Sequence, residues 1–326
     1  MIDTTFDRQR TRSARRRRRG YTLIEFMLAT LLVGVLIGLL LPAVQAAREA
    51  ARRSRCGMQL QNLMIGVHHY ELQQGRLPAG VINATGPIRQ APAGYHHNWI
   101  SALLPYLEAQ RLYEQINFSA GVYDPPNLAV RQRSIPLLIC SSQAKVSATG
   151  PYSCYAANYH HVPAPIDVNN TGVFFLNSRL RQDDILDGVS NTIYLMEKGI
   201  DPLDFGWMSG THATLRTAVD MVRTGDAPPR QPLPGMPQFR APRDLRLQEG
   251  AFPVDYQFTS GSSSNSLANI PPLAITSSAG SPHPGTTPLA FGDGRVSYVS
   301  SGRGTVATMP ELCHRQDGRM PSTKDQ

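Results

Sequence analysis

The sequence predicts an α+β protein. It should have a long N-terminal transmembrane-plus-amphipathic α-helix packed on an antiparallel β-sheet globular domain with long loops. Three observations carry this. Residues 26–47 hold no charge and are rich in Leu, Val, Ile and Ala. Apolar residues then recur at three/four spacing at Leu60, Leu63, Met64, Val67 and Tyr70, the mark of one helical face. Short apolar runs at 192–196, 288–291 and 296–299 follow, set beside Asp-Gly and Gly-Asp-Gly turn signals. With 41% hydrophobic and 17% charged residues over 326 positions, the chain can build a core. Its 27 Gly and 26 Pro predict many turns.

The first element is a basic leader, residues 1–20. It holds eight Arg and two Asp, and so six of the chain's eight net positive charges. The remainder is nearly neutral, which argues against a nucleic-acid partner and makes the Arg run a topology signal. The second element, residues 21–47, is long enough as a helix to cross a hydrocarbon layer of about 30 Å. Arg is denser before this span than after it, where Arg48, Arg52, Arg53 and Arg55 stand. The positive-inside tendency then keeps the N-terminus cytoplasmic and sends the rest across, as a single-pass protein of the cytoplasmic (inner) membrane with a periplasmic domain. Glu25 sits at the edge of the apolar run, where a carboxylate without a partner is costly.

Gly20, Tyr21-Thr22-Leu23-Ile24-Glu25 and the apolar run, preceded by Arg15–Arg19, resemble the class III prepilin signal. The resemblance implies cutting between Gly20 and Tyr21 by prepilin peptidase, and N-methylation of Tyr21. It also implies pairing of Glu25 with the N-terminal amine of a neighbouring pilin-like subunit, and a helix kink at Pro42. Tyr21 stands where Phe is commoner. Two other readings of the same segment stay open: a secretory signal cut after Ala46, and an uncut signal anchor.

The third element, residues 48–75, continues the helix into water. Good helix formers dominate it, and Gly75 with Leu77-Pro78 supplies a stop. The fourth, residues 76–300, is the extracytoplasmic domain. In it, spacing predicts a helix over Trp99–Gln115, with Pro105 as an irregularity. A short strand is expected at Gly172–Leu176, a turn at Asp187-Gly188, a strand at 192–196, and a final hairpin from 288–291 and 296–299 around Gly292-Asp293-Gly294. Residues 225–250 form a Pro-rich insertion, and 260–266 is Ser/Gly/Asn-rich. The fifth element, 301–326, is a polar tail that Cys313 is placed to tie down.

Beyond residue 40 the chain resembles a large pilin-like family of planctomycete-type bacteria, the DUF1559 proteins. The resemblance rests on Leu40–Arg53, on Asn98-Trp99-Ile100 with Leu104–Glu108, and on Leu112-Tyr113 with Ile116–Phe118. Asp187–Ile193 running to Glu197, and His283 separated by nine residues from Asp293-Gly294, complete it. Cys140-Ser141-Ser142-Gln143 replaces the family's Cys-Pro-Ser-Asp. Tyr155-Ala156-Ala157-Asn158 replaces its Tyr-x-Gly-Asn. The resemblance implies no enzymatic activity.

Nor do the residues. Gly-x-Ser-x-Gly, His-Glu-x-x-His and phosphate-binding glycine loops are all absent from the sequence. No enzyme and no cofactor are expected. Four cysteines, Cys56, Cys140, Cys154 and Cys313, form no CxxC pair and allow three full disulfide connectivities. Cys140 and Cys154, nearest in sequence, are the candidate disulfide. The paired histidines 68–69, 96–97 and 160–161 read as surface or loop residues rather than metal ligands. His283 and Asp293 are expected to meet across the final hairpin in a structural hydrogen bond; the less favoured alternative is a structural calcium at Asp293. Three function classes follow: an assembling pilin-like or pseudopilin-like subunit, a monomeric anchored module binding polysaccharide or an envelope partner, and an anchored enzyme. The first fits the N-terminal segment best.

Overall fold

A computed structural model describes residues 21–143, 151–200, 204–218, 281–283, 285–300 and 309–318. The leader with Gly20, the insertion at 225–250, the 260–266 segment and tail residues 301–308 and 319–326 lie outside the described residues. The chain divides into two compact units, Met1–Ala50 and Ala51–Gln326.

One helix, α1, runs Leu23–Gln74 and contains Pro42. It ends as expected: Gly75 adopts φ 67°, and its N–H donates to the Glu71 carbonyl at 2.7 Å. A left-handed residue at this position costs glycine nothing. From residue 51 on, α1 buries Cys56, Gly57, Leu60, Leu63, Met64, Gly66 and Val67, the predicted stripe. The two glycines are close-approach points. A Cβ on Gly57 would overlap the Tyr298 hydroxyl, and one on Gly66 would press Leu107.

The second unit is built on a five-stranded sheet. After a small pair, β1 (Val81–Ile82) with β2 (His97–Asn98), come β3 (Tyr155–Asn158), β4 (Ile193–Glu197), β5 (Leu215–Arg216), β6 (Thr286–Phe291) and β7 (Val296–Ser300). The spatial order is β5-β3-β4-β6-β7, with every pairing antiparallel except β3 with β5. The expected hairpin is β6–β7, turned at Gly294 with φ 86°.

Alternation along the strands feeds two cores. Tyr155, Ala157, Leu195 and Ala290 join the cluster holding Cys56, Leu60 and Leu63. Ala156, Met196, Leu289 and Phe291 join a second cluster with Met309 and Cys313. Strand residues buried on both faces follow from this. Within β4 the alternation slips where its register against β6 shifts between Ile193 and Leu195. From Leu195 onward odd-numbered residues face the α1 side, which aims Glu197 there.

Two expectations need correction. The Trp99–Gln115 helix is three pieces: α2 (Trp99–Leu103), a 3₁₀ turn at Leu104–Leu107, and α3 (Gln110–Tyr113). Pro105 at the start of the 3₁₀ turn lacks the N–H an α-helix would need, and Glu108 then turns left-handed at φ 58°. Gly172–Leu176 is not a strand. Its amides divide between partners: Gly172 N donates to the Tyr159 carbonyl, while Val173 and Phe174 both donate to the Asn158 carbonyl. Leu176 forms an isolated bridge to Val81. Within the polar tail, residues 309–313 form a helical turn that buries Met309 and Cys313 against the sheet.

Candidate functional site

The first candidate region is the start of α1. Thr22 precedes the first helical residue, and its hydroxyl accepts from the Glu25 N–H at 3.3 Å. The Glu25 Oε2 accepts in return from the Thr22 N–H at 2.8 Å and from its hydroxyl at 3.0 Å. This is a reciprocal capping box, with Glu at the third helical position. Glu25 is therefore bonded within its own chain, which the sequence reading missed although Thr-x-x-Glu is its signature. Both bonds fall on Oε2, and among the described residues Oε1 carries none. Tyr21 beside it is 91% exposed. The apolar residues that follow, from Leu23 to Val44, are all exposed, and none of the most apolar stretch is buried in the chain.

The second candidate is inside the second unit. Cys56 from α1, Cys140 after the 3₁₀ turn Pro136–Leu138, Glu197 at the end of β4 and His283 before β6 converge in one buried cluster. Their potential ligand atoms all lie within 4.8 Å of one another. The Cys56 and Cys140 sulfurs are 2.7 Å apart, Cys140 Sγ is 3.4 Å from His283 Nε2, and that nitrogen is 3.5 Å from Glu197 Oε1. The other carboxylate oxygen accepts from Ser281 Oγ at 2.6 Å, and Ser281 Oγ also accepts from the His283 backbone N–H. Glu197 Oε1 is buried without a hydrogen bond among the described residues. The Ser142 N–H donates to Cys140 Sγ at 3.4 Å. Hydrogen bonding from Cys140, and then from His283 and the Ser141 backbone against the opposing effect of burial, draws the Cys56 thiol down to about 6. The same sulfur contact, with burial and Glu197, pushes the Cys140 thiol up.

The candidate disulfide Cys140–Cys154 is not formed; Cys140 meets Cys56 instead. Chain proximity was a poor guide because α1 delivers Cys56 from the far side of the domain's sequence. Cys154 is buried, and burial raises its thiol to about 12. His283 and Asp293 do not meet. His283 is in the cluster, while Asp293 accepts from the Arg295 N–H at 2.9 Å in the β6–β7 turn. Asp293 belongs to neither group of described residues able to hold an ion. The second such group, Asp187, His314 and Asp317, is already served by protein donors. The Asp187 carboxylate accepts from the Asp317 and Gly318 N–H groups at 2.8 and 2.7 Å. His96 and His97 are buried rather than on the surface, and His97 Nε2 lies 2.9 Å from the Ala120 carbonyl.

The family model described as a protein of unknown function (DUF1559) matches residues 45–302, and the prokaryotic N-terminal methylation motif matches residues 15–41. No curated protein and no solved structure matches the chain. The methylation motif falls on the first candidate region, and the DUF1559 match contains all four residues of the second. A prepilin-type N-terminus implies processing by prepilin peptidase and membrane association, and the apolar first half of α1 fits a single-pass anchor. With that N-terminus and that domain, the chain belongs to the DUF1559 family as a type IV pilin-like member.

Proposed function

We propose that the protein is a structural subunit of a type II secretion-like pseudopilus or a type IV pilus-like fibre, and not an enzyme. Prepilin peptidase cuts after Gly20, and the N-terminus faces the cytoplasm of an inner-membrane precursor. The subunit then assembles through the first half of α1. The observation that carries this reading is the chemistry at Glu25. Its Oε2 is held by Thr22, so the carboxylate is fixed in place, while Oε1 is left for a donor from outside the chain. The amine created at Tyr21 of a neighbouring subunit is such a donor. Inside lipid or a filament core, an ammonium and a carboxylate that neutralise each other avoid a large desolvation cost.

Glu25→Ala tests this. Membrane insertion, read by carbonate extraction, should persist, and recovery in sheared filament fractions should fall by tenfold or more. Full incorporation of the variant would overturn the reading. If N-terminal mass spectrometry finds Tyr21 as first residue while mild cross-linking yields monomers only, an anchored binding module takes its place. A chain beginning at Ala47 would mean a freely secreted protein.

A further inference from the structure

We propose that Cys56, Cys140, Glu197 and His283 form a structural zinc(II) site that ties α1 to the sheet of the domain. The inference stands apart from filament assembly and concerns the second unit alone.

The donor set comes first. Two sulfurs, an imidazole nitrogen and a carboxylate oxygen supply four ligand atoms of the types zinc accepts in closed structural sites. Calcium and magnesium would want oxygen throughout, and two thiols with an imidazole select a borderline-soft ion. The four residues come from a helix, a turn, a strand end and a loop, and every one is buried. An ion bound by all four would hold together segments that the chain itself joins only through long connections.

The second observation is Glu197 Oε1. It is fully buried, faces the cluster, and has no hydrogen bond among the described residues. His283 Nε2 lies 3.5 Å from it and also faces Cys140 Sγ at 3.4 Å. A buried carboxylate oxygen with no donor costs on the order of several kcal/mol unless something positive neutralises it. The neighbouring Lys198 does not serve, since its ammonium is bonded to Asp204. A bond between the two sulfurs would leave this oxygen where it is. A cation satisfies it together with the imidazole.

The outer contacts match. Ser281 Oγ donates to Glu197 Oε2 and accepts from the His283 N–H, fixing two ligands through one hydroxyl. The Ser142 N–H points at the Cys140 sulfur, the kind of donor that stabilises a metal-bound thiolate. The 3.4 and 3.5 Å separations are near those of neighbouring ligands on a tetrahedral ion. The sulfurs, at 2.7 Å, must part by about 1 Å to sit at Zn–S bonds of about 2.3 Å, a small side-chain rotation. Binding releases the thiol protons to solvent and moves no electrons.

The test uses the full chain, purified in detergent without a metal-affinity tag. Elemental analysis should find one zinc per chain. Replacement by cobalt(II) should produce sulfur-to-cobalt charge-transfer bands and the visible bands of a tetrahedral ion. Glu197→Gln and His283→Gln should each weaken zinc binding by more than about tenfold. Added zinc should raise the thermal midpoint of the chelator-stripped wild type, a readout that needs no variant to fold. Sub-stoichiometric zinc with no midpoint shift on zinc addition would overturn the proposal. So would a Cys56–Cys140 disulfide recovered from acid-quenched, alkylated envelopes.

Discussion

The two halves of α1 share one helix and differ in what they face. Residues 23–47 are apolar on every side, and none of their large side chains is covered by the chain. Residues 51–74 are apolar along one stripe, and that stripe is buried. A helix greasy all round needs a partner outside itself, whether lipid or other helices, whereas a striped one finds its partner in its own fold. The first half therefore carries its purpose in contiguous residues. The second half acquires a purpose only when Cys140, Glu197 and His283 arrive from elsewhere. Local signals announce attachment, and the domain's chemistry is assembled from a distance.

The sharpest way to separate the two halves is acid. No histidine lies in 21–47, and the domain buries several. Desolvation lowers His96 and His160 to about 4 and His212 to about 3. Each folded value is below the unfolded one near 6.5, so the unfolded chain binds more protons. Stability is full above about pH 6.5 and is lost as pH falls towards 4. The domain's midpoint should drop on the order of 10 °C between pH 7 and pH 4, as followed by near-ultraviolet circular dichroism. The helical signal of 23–47 in detergent should stay. A flat midpoint across that range would mean these rings are solvated.

Next in size is a matched pair of truncations. Leu63 is fully buried and Leu36 is 52% exposed. Leu63→Ala should cost the domain roughly 2–5 kcal/mol, the range for an unrelaxed core cavity. Leu36→Ala should cost the domain nothing. Both tryptophans, Trp99 and Trp207, are buried in the second unit, so denaturant unfolding followed by tryptophan fluorescence reports on the domain alone. Equal effects from the two variants would erase the distinction.

What could be read from the sequence divides along the same line. The bounds of α1, its buried stripe, strand β4 and the β6–β7 hairpin were all visible, because period and turn chemistry are local. The segment Gly172–Leu176 is apolar enough for a strand, but its amides donate to the Tyr159 and Asn158 carbonyls, and its Phe175 carbonyl accepts from the Gly80 and Val81 N–H groups, contacts that no local pattern encodes. The Cys56–Cys140 meeting was hidden for the same reason. Cys154 is the cysteine nearest to Cys140 in the sequence, whereas α1 brings the more distant Cys56 to it. Glu197 and His283 stood in family-like blocks, and nothing in their spacing linked them to each other or to sulfur.

A smaller effect is expected at Asp187. Its carboxylate anchors residues 317 and 318 through two backbone N–H groups, and the Arg315 carbonyl accepts from the Asp187 N–H at 3.2 Å. Asp187→Ala leaves two donors without an acceptor, a cost of about 1–3 kcal/mol. The loss should appear as faster proteolysis within 309–318, with zinc content unchanged. Coupled loss of zinc would tie the tail to the metal site and blur the separation between the two faces of the sheet.

The smallest change belongs to the first half of α1. Thr22→Val removes the hydroxyl that accepts from Glu25 and donates to it, while Glu25 keeps its carboxylate. Losing an N-cap typically loosens the first helical turn by a modest factor. Amide protection at 23–26 should fall by about fivefold in detergent, measured by hydrogen exchange, with the domain's unfolding midpoint unmoved. The consequence for assembly distinguishes two roles for Glu25. If the carboxylate acts on a neighbouring amine, Thr22→Val blurs its aim and filament incorporation falls partway, well short of the loss in Glu25→Ala. If Glu25 serves only to cap its own helix, the two substitutions should impair incorporation equally, because each breaks the same reciprocal pair.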